Sequence, residues 1–225
     1  MTDVMKVGLI VYGMSGQVFH APVIEAVPQL KLVKDIRTPS TLSTHFVLRV
    51  FQNRRWDGDF LTVQKVLDGK LLGRVVENGV TADFRKQREV SKVDDNFEIL
   101  MQYPGLKVTL KAGMLVKIPG PRYIVQGTEG TFHKHGIDPQ EDALKMGRTP
   151  AEFGWGVSSK EDRGHLVTRT ANLEIDARVE TLPGSYQEYY SNIADAIRGR
   201  KELAVKPVTA MNTVRIIELA MESKC

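Results

Sequence analysis

The residues best suited to chemistry lie in a glycine turn near the N-terminus. Val11-Tyr12-Gly13-Met14-Ser15-Gly16 follows an apolar run and precedes a stretch with helical periodicity. A dinucleotide-binding turn has Gly-x-Gly-x-x-Gly here, because its glycines let backbone N–H groups approach a pyrophosphate at the mouth of a helix. Gly13 and Gly16 match the second and third glycines, whereas Val11 replaces the first and resists a left-handed backbone. The motif alone predicts a dinucleotide site or a turn with a purely structural role.

A carboxylate further along the chain fits the same interpretation. In dinucleotide-binding domains, an acidic residue about 20 positions after the turn accepts hydrogen bonds from ribose hydroxyls. Asp35 stands at about that distance from Gly13, and a solvated loop carboxylate is the alternative interpretation. Arg37 would instead favour a ribose 2′-phosphate. The sequence therefore leaves both NAD and NADP open as cofactors.

The elements that must position this turn form the first half of a βαβ unit. Residues 6–11 predict a buried parallel strand, a helix should run from near Ser15 to about Ala26, and residues 30–33 predict a second strand. Between Asp35 and Val50 the chain is too short for a parallel crossover, which needs a dozen or more residues. We therefore expect a partial, α/β Rossmann domain over residues 1–56.

The remaining residues, 57–225, predict a C-terminal α+β domain with an open, mainly antiparallel sheet and flanking helices. Alternating apolar residues on both sides of Pro104-Gly105 predict a hairpin of residues 96–103 and 106–116. One face of the second strand should be buried, and residues 123–126 and 131–134 should extend the sheet. The residues expected on the buried face are Leu106, Val108, Leu110, Ala112 and Met114.

Four helices are predicted in this second region. Asp57 should cap a helix ending near Gly69, and Asp138-Pro139-Gln140-Glu141 should start a short one that stops at Gly147. Apolar stripes at helical spacing predict the inward faces of three of the helices. These stripes are Phe60, Val63, Val66 and Leu67; then Tyr186, Tyr189, Tyr190, Ile193 and Ile197, ending at Gly199; and finally Met211, Val214, Ile217 and Met221, capped by Thr209.

Composition narrows the class of protein. The 225 residues carry a net charge of +4, with 42% hydrophobic and 26% charged residues, as in ordinary soluble domains. No apolar run reaches the 18 residues of a membrane span, the N-terminus does not resemble a signal peptide, and Cys225 is the only cysteine. We therefore expect a cytoplasmic protein that does not associate with membranes. The basic clusters are too short for a nucleic-acid-binding tail, so we expect no nucleic-acid partner.

The local sequences resemble one enzyme family. The run from Lys6 to Pro22 is similar to the N-terminus of the glucose–fructose oxidoreductase and inositol dehydrogenase (Gfo/Idh/MocA) family. Further matches follow in family order and cover nearly the whole chain. They are Thr38-Pro39-Ser40 with Thr44-His45, Phe51-Gln52-Asn53-Arg54-Arg55-Trp56-Asp57, Asp138-Pro139-Gln140-Glu141, Pro183-Gly184-Ser185-Tyr186 and Asn192-Ile193-Ala194-Asp195-Ala196-Ile197.

The resemblance implies an NAD(P)-dependent oxidoreductase that transfers a hydride between nicotinamide and a sugar, polyol or related hydroxy or keto compound. By motif position, residues 12–16 would face the pyrophosphate. Thr38, Pro39 and His45 would lie along the path from adenosine to nicotinamide, and Asn53 and Arg54 would lie near nicotinamide or substrate. His45 is the candidate general base, with a structural histidine as the alternative. The resemblance also implies a homodimer or higher homo-oligomer formed through the open sheet.

The chain also departs from the family pattern. Members are roughly one and a half times as long, and by this resemblance the sequence lacks blocks on both sides of residues 38–45 and near residues 77–78. The missing blocks would carry the family's Glu-Lys-Pro motif and its substrate-binding helix. Either the polypeptide itself lacks them, or the sequence joins segments of a longer one. If the polypeptide lacks them, a non-catalytic, dimerising sheet module derived from such an oxidoreductase describes it better.

Three other groups of residues could form sites of a different kind. His133 and His135, two residues apart on one strand, could bind a metal together with His165, but surface histidines are the default and we expect no metal site. Arg54-Arg55-Trp56 could bind nucleic acid by charge and stacking, although a buried functional loop suits its position better. The tyrosine stripe at residues 186–190 could line a pocket, although its helical spacing favours core packing.

Overall fold

The computed structural model describes residues 4–9, 13–33, 51–72, 77–85 and 93–223. These residues form two compact units that interleave along the chain. The first contains residues Met1–Lys65, Gly136–Arg163 and Glu180–Pro207, and the second contains Val66–His135, Gly164–Val179 and Val208–Cys225. The predicted domain boundary between residues 56 and 57 stays a prediction.

The first unit begins with the expected strand–helix–strand unit. Strands β1 (Met5–Gly8) and β2 (Leu30–Val33) are parallel, with Met5 opposite Leu30 and Gly8 opposite Val33. Between them lie a π-helical segment (Gly16–His20) and α1 (Ala21–Glu25), whose Val23 and Ile24 are buried. The prediction of a βαβ half-unit is therefore confirmed, and β2 has the predicted bounds.

Helix α2 (Gly58–Asp68) follows a 3₁₀ turn at Asn53–Trp56. Val63 and Val66 are buried as predicted, but Leu67 is exposed and Thr62 takes a buried position instead. The Thr62 hydroxyl donates to the carbonyl of Gly58 (2.6 Å) and accepts from the N–H of Leu182 (2.9 Å). A polar side chain can occupy this face because both of its hydrogen-bonding functions are used.

The second unit contains a three-stranded antiparallel sheet in the order β3 (Glu77–Arg85), β4 (Asn96–Tyr103), β5 (Leu106–Gly113). Gly105 adopts φ +84° in the predicted hairpin turn, so this position favours glycine. Ile99 and Met101 of the central strand are buried against Ala220. On the edge strand, however, Leu106 and Leu110 are exposed, and so is Met114 beyond its end. The prediction of a fully buried face was wrong there, because the packing concentrates on the central strand.

A second, four-stranded antiparallel sheet has the order β6 (Tyr123–Gln126), β7 (Gly130–Lys134), β8 (Gly164–Thr170), β9 (Leu173–Val179). Residues 123–134 therefore pair into this sheet rather than extending the first hairpin. Phe132 and Leu166 are buried on one of its faces. A Cβ at Gly164 would lie 2.4 Å from the Phe132 ring, so this glycine allows the strands to pack around the phenyl group.

Three helices complete the described chain: α3 (Gln140–Lys145), α4 (Gln187–Ile197) and α5 (Pro207–Glu222). Gly147 and Gly199 follow the first two with positive φ, as expected for glycines that end helices. In α5 the predicted stripe was wrong, since its buried residues are Ala210 and Ala220, whereas Met211, Val214, Ile217 and Met221 are exposed. None of the helices in the described ranges is long and apolar enough to cross a membrane.

Candidate functional site

The glycine turn opens directly into the first helix. Gly13 forms a bend, and the N–H of Gln17 donates to its carbonyl at 3.0 Å, which starts the helical hydrogen bonding. The amides of Met14, Ser15 and Gly16 thus lie in the first turn, where backbone N–H groups have no intrahelical acceptor. Among the residues that the structure describes, no atom lies within 4 Å of the place that a Cβ at Gly13 would take. The turn therefore offers open space at a helix N-terminus, which suits a phosphate group.

The predicted site residues fall into two groups. Tyr12, Asp35, Thr38, Pro39 and His45 lie outside the described residues, so their predicted roles stay predictions. Gly13, Met14, Ser15, Gly16, Asn53 and Arg54 are described, and all six belong to the first unit.

Arg54 is the charged group of the Asn53–Trp56 turn. Its Nη1 donates to Asp57 Oδ2 at 3.2 Å, and its Nη2 donates to Glu141 Oε2. A hydrogen bond from Lys145 lowers the pKa of Glu141, and the charge of Arg54 adds to this effect. The Arg54 side chain is 45% exposed, so its guanidinium is held by two carboxylates while it remains accessible to a ligand.

Asp57 is the buried partner of Arg54. Its Oδ1 accepts a hydrogen bond from the hydroxyl of Tyr186 at 2.8 Å, and the residue is 1% exposed. Burial raises the pKa of Asp57 to about 6, because the hydrogen bond from Tyr186 and the charge of Arg54 offset the desolvation only in part. A proton can therefore be taken up next to Arg54 in mildly acidic solution.

Asp138 connects the N-termini of two helices. Its Oδ2 accepts from the N–H of Gly58 at the start of α2 (2.7 Å), and its Oδ1 accepts from the N–H of Gln140 at the start of α3 (2.9 Å). The expectation that Asp57 caps α2 is thus corrected. The carboxylate of Asp57 bonds Arg54 and Tyr186, and Asp138 supplies the cap from 80 residues away.

Both the oxygen and the nitrogen of the Gln140 side-chain amide form hydrogen bonds in the buried network that includes Asp138. Its Oε1 accepts from Trp155 Nε1 (3.0 Å) and from the N–H of Tyr186 (2.7 Å), and its Nε2 donates to Asp138 and to the carbonyl of Trp56. A Cβ at Gly184 would lie 2.1 Å from Gln140 Nε2, so the chain passes directly over this amide. The network fixes the 3₁₀ turn that carries Asn53 and Arg54.

An aromatic cluster links the Asn53–Trp56 turn to the helical segment that follows the Gly13–Gly16 turn, which is called the glycine helix below. His20, at the end of the π-helical segment, packs its ring on Phe51 with centroids 4.4 Å apart, and its Nδ1 lies 2.5 Å from the hydroxyl of Tyr190. Tyr189 contacts Phe51 (5.0 Å) and Trp56 (5.7 Å) edge to face. Burial lowers the pKa of His20. The glycine helix and the Arg54 turn therefore belong to one packed unit.

Sequence reasoning missed several of these contacts. Tyr186 and Tyr189 are buried, so the core interpretation of the tyrosine stripe is confirmed for them. Nothing in the local sequence connects His20 with Tyr190, 170 residues away, or Asp57 with Tyr186, 129 residues away. The available signal was chemical, because a buried tyrosine hydroxyl usually has a hydrogen-bond partner.

Three histidines lie close together in the second unit. The rings of His135 and His165 lie 5.9 and 5.0 Å from that of His133 in edge-to-face contacts. The Nε2 of His165 is 2.6 Å from Asp176 Oδ1. Within the described ranges, no group of three or more histidine, cysteine or acidic residues is arranged to hold a metal ion.

Comparisons with known proteins agree with this architecture. Residues 69–224 match the model of the C-terminal α/β domain of the Gfo/Idh/MocA oxidoreductase family. A scyllo-inositol 2-dehydrogenase (NADP(+)), IolW of Bacillus subtilis, is 28% identical over 98% of this chain and 94% of its own length. The uncharacterized oxidoreductase YdgJ of Escherichia coli is 26% identical over 99% of this chain and 97% of its own length.

Solved structures give the same result. The oxidoreductase yvaA of Bacillus subtilis superposes with a TM-score of 0.87 at 25% identity, over 98% of this chain and 97% of its own. An oxidoreductase from Bacteroides fragilis gives a TM-score of 0.86 at 28% identity, over 98% and 97% of the two chains.

Because the family model matches more than half of the sequence and the solved relatives share the fold, this chain belongs to the Gfo/Idh/MocA oxidoreductase family.

Proposed function

We propose that this protein binds NADP or NAD at the Gly13–Gly16 turn and transfers a hydride between the cofactor and a hydroxyl-bearing carbon of a polyol or sugar. The observation that carries the proposal is the open helix N-terminus, where Gly13 leaves room for an anionic group beside the amides of Met14 to Gly16. The parallel strands β1 and β2 flank this helix as a dinucleotide site requires.

Each predicted site residue would have a separate role in binding or catalysis. The first-turn amides would hold the pyrophosphate, and Tyr12 would lie beside it. Asp35, Thr38 and Pro39 would line the adenosine side, and His45 would serve as general base. Asn53 and Arg54 would orient the substrate or the nicotinamide amide. When bound, the nicotinamide ring supplies the hydride chemistry.

The names of the relatives support the cofactor and the substrate class. IolW is named as an NADP(+)-dependent dehydrogenase of scyllo-inositol, a polyol. An Agrobacterium radiobacter oxidoreductase was solved in complex with NAD+ and L-tartaric acid, although its 14% identity and TM-score of 0.52 indicate a shared fold only. We favour NADP as cofactor because the relative of greater identity is named for it.

A glycine substitution tests the proposal. Gly13→Ala should leave stability unchanged, because its Cβ would stand in open space. It should weaken NADPH binding, measured by fluorescence titration, at least tenfold, because the methyl group occupies the space needed by the phosphates. Gly120→Ala is the matched control, since a Cβ there also meets nothing. Failure of the wild-type protein to bind either NADPH or NADH would refute the proposal.

One observation favours a second function. The Glu-Lys-Pro motif that the family resemblance implies has no counterpart in this sequence, and a polypeptide without it would be a non-catalytic sheet module. Intact mass discriminates between the two cases. A mass of 25.2 kDa, as calculated from this sequence, together with absent cofactor binding would indicate a non-catalytic module. Association through the open sheet and a cytoplasmic location stay predictions, and light scattering would test the first.

A further inference from the structure

The guanidinium group of Arg54 is held between two carboxyl groups. Its Nη1 donates to Asp57 Oδ2 at 3.2 Å, and its Nη2 donates to Glu141 Oε2. Asp57 directly precedes α2 and Glu141 belongs to α3, so two separate segments of the chain fix the guanidinium. The single positive charge of Arg54 therefore has two acidic groups in direct contact, and their ionisation determines the charge that a ligand meets.

Glu141 supplies one negative charge at neutral pH. A hydrogen bond from Lys145 lowers the pKa of Glu141, and the charge of Arg54 lowers it further, although burial acts in the opposite direction. The Nζ of Lys145 lies 2.7 Å from Glu141 Oε1, whereas Arg54 bonds Oε2, so the two cations use different oxygens. The side chain of Lys145 is 51% exposed, and water screens its charge. Glu141 therefore places an ionised carboxylate against Arg54.

Asp57 supplies the second negative charge from a buried position. Burial raises the pKa of Asp57 to about 6, and the charges of Asp138 and Asp59 also raise it. The hydrogen bond from the hydroxyl of Tyr186 and the charge of Arg54 lower this pKa in part. Asp57 is therefore mostly ionised at pH 7.5 and mostly protonated at pH 5.

This arrangement favours a hydroxyl group over an anion as the ligand of Arg54. A hydroxyl group both donates and accepts, so it can donate to a carboxylate oxygen of Glu141 while it accepts from another N–H of the guanidinium. An ionised carboxylate only accepts, and beside Glu141 and Asp57 it would meet charges of its own sign. The side chains of Arg54 and Glu141 are 45% and 31% exposed, so a ligand can reach both.

We propose that Glu141 and Asp57 determine substrate specificity by holding Arg54 and compensating its charge, so that the site accepts neutral sugars and polyols and rejects anionic ones. The inference rests on the proposed function, in which Arg54 orients the substrate. Glu141 acts through Arg54 and is therefore a positioning residue. Removing its charge should expose the positive charge of Arg54 and admit a sugar acid.

Binding of two matched glycosides tests the proposal. Methyl glucoside and methyl glucuronide are closed rings that differ only at carbon 6, which is a hydroxymethyl group in the first and a carboxylate in the second. Neither contains a ketone or aldehyde that NADPH could reduce, so calorimetric titration of the intact protein with saturating NADPH measures binding alone. In 150 mM salt, which screens charges beyond about 8 Å, the wild-type protein should bind the glucoside at least tenfold more tightly at pH 7.5. Equal affinity for the two glycosides, or binding of neither, would overturn the proposal.

Substitution of Glu141 should produce a gain of affinity. Glu141→Gln preserves the size of the side chain and removes its charge, so it should strengthen glucuronide binding at least fivefold and change glucoside binding by no more than about twofold. A purely structural role of Glu141 predicts weaker binding of both glycosides, and that result would contradict the proposal. Relative to Arg54→Gln alone, the double variant Arg54→Gln/Glu141→Gln should show no such gain. Glu152→Gln is the matched control, since it removes an exposed carboxylate that likewise pairs with an arginine, Arg148, and it should leave both affinities unchanged.

Lowering the pH should narrow the preference of the wild-type protein for the glucoside. Protonation of Asp57 removes one negative charge, so the preference should be at least threefold smaller at pH 5 than at pH 7.5. Asp57→Asn should show the smaller preference at both pH values, and a wild-type preference that does not change with pH would overturn the role of Asp57. NADPH binding is measured separately by fluorescence. Its absence would refute the proposed function, whereas a lack of discrimination with NADPH bound would refute this inference alone.

Discussion

The hydroxyl of Tyr186 donates to Asp57 Oδ1 at 2.8 Å, and this bond joins residues that are 129 positions apart. It links the start of α4 to the turn that carries Arg54, within the unit that also contains the glycine helix. Tyr186 is completely buried and Asp57 nearly so. The bond therefore positions the candidate site and contributes to stability at the same time.

Removing that hydroxyl should destabilise the protein. Tyr186→Phe leaves a buried carboxylate oxygen without its donor, which costs about 1–3 kcal/mol. Urea unfolding at pH 7.5 would measure the free energy of unfolding. Tyr103→Phe is the matched control, because the hydroxyl of Tyr103 donates to the sulfur of Met101 at 3.7 Å, a weak acceptor, and the residue is exposed. A loss of stability in the control as large as in Tyr186→Phe would contradict this account.

Asp57 should make stability depend on pH in a defined window. Its pKa of about 6 in the folded protein lies above the value of about 3.9 for an unfolded aspartate, so the folded state holds its proton to higher pH. The resulting stabilisation is complete below about pH 4 and is lost as the pH rises through 6. Relative to Asp57→Asn, the wild-type protein should lose about 2 kcal/mol of unfolding free energy between pH 4.5 and 7.5.

Thermal and urea unfolding of both proteins across that range would measure the difference. Asp142→Asn changes a carboxylate whose side chain is 77% exposed, so its difference from the wild type should change far less with pH. A difference between wild type and Asp57→Asn that is flat from pH 4.5 to 7.5 would show that burial does not raise the pKa of Asp57.

Asp138 should matter more than a single helix cap. Because its two oxygens serve the N-termini of α2 and α3, Asp138→Ala should cost about 2–4 kcal/mol, roughly twice the effect of one cap. Hydrogen exchange adds a local measurement, since the amides of Gly58 and Gln140 should both exchange faster. If only the Gln140 amide were affected, the link to α2 would be refuted. Asp142→Ala removes the same charge from α3 at an exposed position and serves as the control.

Local sequence signals predicted the elements well. The strand at residues 96–103, the turn at Gly105 and the helices ending before Gly147 and Gly199 depend on patterns contained in a few residues. Strands β8 and β9 were not predicted, although the residues of Leu173–Val179 alternate between apolar and charged as those of a half-buried strand do.

The site was predictable only where its residues are local. The Gly13–Gly16 turn follows from spacing, whereas the partner of Asp57 does not. An aspartate before a helix normally caps that helix. Here Arg54 and Tyr186 bond the carboxylate, and Asp138 bonds the helix amide. Neighbouring residues cannot predict this arrangement, because Tyr186 and Asp138 come from distant segments of the chain.

Helix α5 shows the same limit and supplies a direct test. Four of its larger apolar residues form an exposed stripe at helical spacing, whereas its buried residues are Ala210 and Ala220, and Ala220 packs with the partly buried Ile216 against Ile99 and Met101. Met211→Gln and Ile217→Gln should therefore each change the free energy of unfolding by no more than about 0.5 kcal/mol. Ala220→Leu should cost about 1–3 kcal/mol, because the packed sheet has no room for three more carbon atoms.

Urea unfolding of the three variants at low protein concentration would decide the orientation of the helix. The apolar stripe alone predicts the opposite result. In that case the two glutamine variants would lose the most stability, because they remove buried apolar contacts, and Ala220→Leu would lose little, because the leucine would lie in solvent. That outcome would mean that the stripe at residues 211–221 faces the sheet. The order expected here would instead show that the face of α5 that carries Ala210, Ile216 and Ala220 packs inward, with Ala220 so close to Ile99 and Met101 of β4 that a larger side chain does not fit.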